Sequence, residues 1–410
     1  MITYRKETLD NGLKIIIHED RSTPFIAVNT LYGVGSKNED PGRTGFAHLF
    51  EHLMFGGSVN IPEFDTPLQK AGGDSNAFTN PDITNYFNTL PASNLETALW
   101  LESDRMLQLD FSQESLDVQK SVVIEEFKEN YINQPYGNVW HHLLDLSYKK
   151  HPYRWPTIGL TPQHVKDATL DDVKSFFYDH YRPNNATLVV AGNVSFDKVM
   201  RLVDKWFADI PSSDIPAPAY KHEEPQNEAR FKEVEENVPI PALYKTFHMG
   251  ARMDEEYYAS DLLTDLLSSG ASSRMNQELV KEKKIFSSAN AYISDSIDPG
   301  LIIAEGKINP KFSIEEADDA LSSLLYSFVD EVSDKELDKV KNKVESSIGF
   351  SKVELLTRAM NIAYFDHLGD PEMINNEEKL YRNVSIDDIR SAAKKIFRKD
   401  NCSTLYYKAK

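Results

Sequence analysis

His48-Leu49-Phe50-Glu51-His52 places two imidazoles and a carboxylate on one side of a predicted helix. At about 100° per residue, His48 and His52 lie one above the other and Glu51 sits beside them. Two ligands and one base can then share a cavity, which is the minimal kit for metal-assisted hydrolysis. The acid precedes the second histidine instead of following the first, which inverts the commoner zinc helix. The flanks Thr44-Gly45-Phe46-Ala47 and Leu53-Met54-Phe55 are apolar almost all round, so the helix is expected to be buried. Histidines buried with a carboxylate need a partner, which weighs against a chance pair at helical spacing.

Catalytic zinc takes three protein ligands and keeps one position open, so a third must come from elsewhere, and another helix with an acid on its apolar side is the natural place to look. Val122-Val123-Ile124-Glu125-Glu126-Phe127-Lys128-Glu129-Asn130 is the candidate. Glu126 follows the two valines by four and three positions, which predicts an inward-facing carboxylate. Glu125, over Ser121 and Lys128, reads as wetter. Glu129, one turn beyond Glu126, suits a residue that orients a ligand or holds water.

These residues resemble the pitrilysin or insulinase-like zinc peptidases, the inverzincins, whose signature is His-x-x-Glu-His with a distal Glu some seventy-odd residues on. Here Glu126 stands 74 positions after His52, and Glu129 would fit the same interval at 77. The resemblance implies one zinc ion per chain held by His48, His52 and Glu126, with Glu51 as general base. It extends through Leu9-Asp10-Asn11-Gly12-Leu13, an Asn-Gly hairpin turn, and through Gly33-Val34-Gly35-Ser36 and Gly72-Gly73-Asp74-Ser75-Asn76-Ala77-Phe78-Thr79. Later landmarks are His151-Pro152-Tyr153, Tyr181-Arg182-Pro183-Asn184-Asn185 and Leu188-Val189-Val190-Ala191-Gly192. Asn76 to Thr79 reads as a strand edge near the metal, to which a peptide could add through main-chain hydrogen bonds. Asn76, Ala77 and Phe78 are the expected substrate-binding residues.

Apolar residues make up 40% of the 410-residue chain and charged residues 27%, and no apolar run is long enough to span a membrane. The first residues lack the apolar segment of a signal peptide, and the one cysteine, Cys402, allows no intrachain disulfide. These features suit a cytoplasmic globular protein, or a periplasmic one if a leader has been removed. A formal charge of −19 disfavours nucleic acid as a partner.

Length alone predicts more than one domain. The expected division is a catalytic zinc-binding half at 1–212, a Pro-rich and acidic linker at 213–238, and a related half without metal at 239–410. Ser112, Leu116, Asp117, Lys120 and Val123 recur as Ser333, Leu337, Asp338, Lys341 and Val344 at an offset of 221. Leu170-Asp171-Asp172-Val173 resembles Ile386-Asp387-Asp388-Ile389 at 216. The chemistry is not duplicated, because Glu126 becomes Ser347 and no second His-x-x-Glu-His follows. The resemblance implies an α+β fold of two similar halves, each a mostly antiparallel sheet flanked by helices. Chains of this length resemble the family's short, processing-peptidase-like members, in which such halves enclose a chamber as part of a clamshell dimer.

Two departures bear on mechanism. Many family members carry an Arg and a Tyr seven residues apart that bind substrate and the developing oxyanion, and Leu279 and Phe286 stand at those places here. Either a related partner subunit supplies the pair in a heterodimer, or a homodimer works with other donors such as Arg274 or Tyr292. Gln119-Lys120 replaces the family's frequent Glu-Arg, leaving Gln119 to support the site by hydrogen bonding without charge. The expected function is zinc endopeptidase action on peptides or unfolded segments. The rival is a non-catalytic or partner-dependent assembly subunit of a processing-peptidase-like complex.

Overall fold

The computed structural model describes residues 1–217, 220–327 and 332–410. In chain order the strands are β1 (Arg5–Thr8), β2 (Lys14–Glu19), β3 (Phe25–Tyr32), β4 (Asp74–Thr79), β5 (Thr84–Pro91), β6 (Ala186–Gly192), β7 (Arg230–Glu236), β8 (Ala242–His248), β9 (Phe286–Ile293), β10 (Leu301–Ile308) and β11 (Cys402–Ala409). The α-helices are α1 (Phe46–Leu53), α2 (Asp65–Lys70), α3 (Leu95–Leu107), α4 (Gln113–Phe127), α5 (Val139–Ser147), α6 (Pro162–Lys166), α7 (Leu170–His180), α8 (Phe196–Phe207), α9 (Tyr257–Ser268), α10 (Ile314–Ser327), α11 (Asp334–Ser351), α12 (Leu355–His367), α13 (Met373–Asn383) and α14 (Ile386–Ile396). The fold is α+β, with two sheets, each flanked by helices.

The first sheet runs β1-β2-β6-β3-β5-β4, with β2 and β6 parallel and the other pairs antiparallel. β6 is buried along its whole length, as a continuous Leu-Val-Val run predicts for a central strand covered on both faces. β4 alternates exposed and half-buried residues and lies at the sheet's edge. On one face, the Tyr86 hydroxyl donates to the Phe50 carbonyl at 3.3 Å and so ties β5 to α1. On the other lies α12, whose buried Asp366 accepts from the Thr187 hydroxyl at 3.1 Å and pairs with Lys6.

The second sheet runs β7-β11-β8-β10-β9, with β7 and β11 parallel and the remaining pairs antiparallel. Once β1 is set aside, this repeats the first sheet strand for strand: β2, β6, β3, β5 and β4 correspond to β7, β11, β8, β10 and β9. The helices agree. Thr169 and Asp172 form a reciprocal capping box at the start of α7, and Ser385 and Asp388 form the same box on α14. The internal duplication suggested by the sequence offsets is thus present in topology and in capping chemistry.

The two compact units are not continuous halves. One comprises Met1–Lys128, Trp155–Tyr220 and Gly349–Asn376, and the other Glu129–Arg154, Lys221–Ile348 and Glu377–Lys410. α5, from the first half of the sequence, packs on β8 and β11, whereas α12, from the second half, packs on β3 and β6. Each sheet is therefore completed by a helix from the other half of the chain. The segment expected to be a linker, 213–238, contains β7, paired with β11 along its length. Glu233 and Glu235 share its exposed face with Phe231, and Val234 and Glu236 its half-buried face, so a charged run that reads as solvated spacer is pleated structure. Buried Gln226, just before it, donates to the Cys402 carbonyl at 3.0 Å. Residues 218 and 219 of the expected linker lie outside the described residues.

Candidate metal centre

α1 buries Phe46, Ala47, Leu49, Phe50 and Leu53 and leaves His48, Glu51 and His52 half-buried on one side. The apolar stripe turns the polar stripe toward α4, with which α1 packs. His48 Nε2 and His52 Nε2 approach to 3.3 Å, and Glu126 Oε2 lies 3.7 Å from the first and 3.5 Å from the second. Among the described residues this is the only cluster of three His, Cys, Asp or Glu side chains whose donor atoms converge so closely.

The donor set fits a divalent cation. Bonds of about 2.0–2.2 Å in tetrahedral geometry space the ligand atoms by roughly 3.3–3.5 Å, close to the separations found. Burial, and after it the neighbouring His52, hold the His48 imidazole down at about 4, so it is neutral near pH 7 as a metal ligand must be. Two imidazole nitrogens and a carboxylate oxygen facing one another are best satisfied by a shared cation. With two nitrogens and one oxygen, zinc suits the set.

Glu126 reaches the cluster by a different route from the one its sequence suggests. Val123 is buried, but Val122 is 44% exposed and Val118 52%. Val118, Val122 and Glu126 succeed one another at four-residue spacing along an open face of α4, not beneath a valine lid. The Glu126 side chain is accordingly 37% exposed, against 13% for His48.

Glu51 lies beside the edge strand. Burial pushes its carboxyl above the ordinary range, and the adjoining Thr79 and His52 pull it back. The Thr79 amide is one of the free main-chain groups of β4. Even-numbered residues of β4 bond toward β5, so Ser75, Ala77 and Thr79 present their N–H and C=O groups to the open edge. One of these is covered by its neighbour, because the Ala77 N–H donates to Asn76 Oδ1 at 2.8 Å. Phe78 is 39% exposed on the face opposite Thr79.

The remaining expected residues have these surroundings. Glu129 is exposed in the π-helical turn Lys128–Ile132 that follows α4, and it has no hydrogen bond or ion pair among the described residues. Gln119 lies beside Gly56 and makes no described hydrogen bond to the three converging side chains. Leu279 and Phe286 are buried in the second unit, where the Phe286 ring covers Gly306. Their neighbours Val280 and Ser287, which are more open, carry neither guanidinium nor phenol. Arg274 forms a two-point ion pair with Glu336 at 2.9 and 3.1 Å, and the Tyr292 hydroxyl donates to Glu305 at 3.3 Å. Both alternative oxyanion donors therefore already have acceptors. A threonine ending a strand carries no signal in the sequence that it will adjoin a base.

Comparison with known proteins gives two family matches. Residues 14–159 match the family described as Insulinase (Peptidase family M16), and residues 167–344 match the Peptidase M16 inactive domain. The zinc protease PqqE of Helicobacter pylori is 30% identical over 415 residues, covering 99% of this chain and 93% of that protein. A Bacillus subtilis protein described as uncharacterized zinc protease YmxG is 25% identical, covering 85% and 84%. The crystal structure of a protease from Helicobacter pylori superposes with a TM-score of 0.93 at 29% identity, covering all of both chains. No helix among the described residues is long and apolar enough to cross a membrane.

Proposed function

The chain belongs to the insulinase family of peptidases, family M16, and from that premise we propose that it is a zinc metalloendopeptidase acting on peptides or unfolded polypeptide segments. The observation that carries the proposal is the convergence of His48, His52 and Glu126 with Glu51 beside them on the same helix. His48, His52 and Glu126 would hold the ion. When bound, zinc supplies Lewis acidity to the scissile carbonyl and lowers the pKa of the attacking water to roughly 7.

The other steps fall to the chain's own groups. The substrate adds to the free edge of β4 as an extended strand, using the main-chain groups of Ser75 and Ala77. Asn76 Oδ1 holds the place of a substrate carbonyl on the Ala77 N–H and swings aside when one arrives. Phe78 offers an apolar contact on the outer face. Glu51, beside Thr79 at the end of this edge, takes the proton from the attacking water and returns it to the leaving amine.

The oxyanion donors are the part this chain does not provide at the places expected. Leu279 and Phe286 are core residues, and Arg274 and Tyr292 are engaged by acidic neighbours. We propose a heterodimer with a related subunit that carries the Arg/Tyr pair and closes the chamber, since loss of such a donor costs about a hundredfold or more in rate. The same observation favours a second reading, a partner-dependent subunit with little turnover alone. Zinc analysis with fluorogenic-peptide cleavage, before and after chelation and with and without co-purifying subunits, tests the proposal. About one zinc per chain and chelator-reversible cleavage are expected, and a chain that binds no zinc would refute it.

A further inference from the structure

We infer that Glu39 is a positioning residue: its carboxylate fastens the start of the helix that carries His48 and His52 and thereby sets the affinity of the metal site. The inference rests on the proposed metal site but concerns a side chain outside it. Glu39 is 6% exposed. Its Oε2 accepts the Gly45 N–H at 3.0 Å and its Oε1 accepts the Ala47 N–H at 2.8 Å. The Phe46 amide also faces this carboxyl group, while the Trp155 indole N–H donates to the Ser36 carbonyl at 3.0 Å. One side chain, six residues upstream of the N-cap, thus collects successive amides of the first turn, groups that no intrahelical acceptor can satisfy.

The local chain cannot do this itself. The N-cap is Gly45, which has no side chain, at φ 89°. A Cβ there would lie 2.7 Å from the Ile158 carbonyl oxygen, so no capping residue can replace it. The preceding hydroxyl is committed elsewhere: Thr44 Oγ1 accepts the Leu160 N–H at 2.8 Å and bonds His164 Nδ1 at 2.9 Å. α1 has only eight residues, too few to be stable by propensity. Its first turn holds His48, so freedom at the start of the helix becomes freedom in the Nε2 position of a ligand. Burial pushes the Glu39 carboxyl up to about 8, so at this helix end it acts through its hydrogen bonds and not as a fixed charge.

Glu39→Gln keeps the shape but presents an NH2 group to one of the amides. We would measure zinc affinity by competition with a chelating dye, the absorption spectrum of the cobalt-substituted protein, and apo-protein melting. Wild type, Glu39→Gln, Glu39→Asp and Asp366→Asn would be compared below the lowest melting temperature. Asp366 is equally buried in the same unit but on the opposite face of the sheet. Zinc affinity is expected to fall by about 10–100-fold in Glu39→Gln, with an altered cobalt spectrum and partial rescue in Glu39→Asp, and to change less than about twofold in Asp366→Asn. Wild-type affinity in Glu39→Gln would overturn the inference, and so would an equal loss in Asp366→Asn, which would signal general destabilisation. Should Glu39→Gln not fold, Glu39→Asp against Asp366→Asn decides by the same criterion. A wild-type chain that binds no zinc would instead remove the metal-site reading.

Discussion

Two glycines of the first unit occupy the left-handed region with nearly the same φ, 89° at Gly45 and 97° at Gly369, but in opposite surroundings. A Cβ at Gly369 would meet nothing within 4 Å, whereas at Gly45 it would lie 2.7 Å from the Ile158 carbonyl oxygen and 3.1 Å from Val165 Cγ2. Both Ala variants bear the left-handed strain of about 1–2 kcal/mol. Gly45→Ala also forces α1 off its backbone neighbour, an overpacking cost of about 1–3 kcal/mol. In a unit of this size each kcal/mol lowers Tm by roughly 2–4 °C, so Gly45→Ala should melt about 2–12 °C below Gly369→Ala. Calorimetry of both apo variants, followed by zinc titration, reads the result. Only Gly45→Ala should also lose zinc affinity, because only there does the strain move His48. Equal melting temperatures with equal zinc affinity would refute the account of how α1 is held.

Glu126→Gln should weaken zinc binding by more than the roughly 10–100-fold that loss of an outer partner costs, measured by equilibrium dialysis; unchanged binding would return the third-ligand role to Glu129. Asn76→Ala frees the Ala77 N–H from a hydrogen bond worth about 0.5–1.5 kcal/mol net, so an uncleaved extended peptide should bind roughly two- to tenfold more tightly in a Glu51→Gln background. Weaker binding would make the Asn76 side chain a substrate contact in its own right. Asp20 is held down at about 2 by the Ser22 hydroxyl and amide and by Arg358. Its contribution to stability is present above about pH 4 and is lost as pH falls toward 2, so Asp20→Asn should flatten the stability profile across that window. An unchanged acid-denaturation curve would show that the pairing contributes nothing.

The parts of this architecture that are legible in sequence are those with local chemistry. The metal helix declares itself because His48, Glu51 and His52 need only helical periodicity to share a face. The duplication is visible because Thr169 with Asp172, and Ser385 with Asp388, are capping pairs whose spacing is fixed by the first turn of a helix. What stayed hidden depends on chain segments far apart in sequence. β7 becomes a strand because β11, 173 residues on, pairs with it, and its own Glu-rich sequence resembles a spacer. Val122 is exposed because of where α4 packs, which periodicity cannot decide. Glu39 gives no signal, since its partners are main-chain amides across a loop. Leu279 and Phe286 could be seen as lacking donors, but only the fold shows that they are core residues.

The central claim is that Glu51 moves a proton while His48, His52 and Glu126 hold the metal, and it separates in one substitution. Wild type and Glu51→Gln would be purified in parallel, together with any co-purifying subunit, and assayed for zinc content and fluorogenic-peptide turnover. The account predicts about one zinc per chain in both samples and a loss of turnover of about 10²–10⁴-fold in the variant. A variant that loses its zinc together with its activity would make Glu51 a structural or ligand residue, and one that keeps its turnover would show that another group is the base.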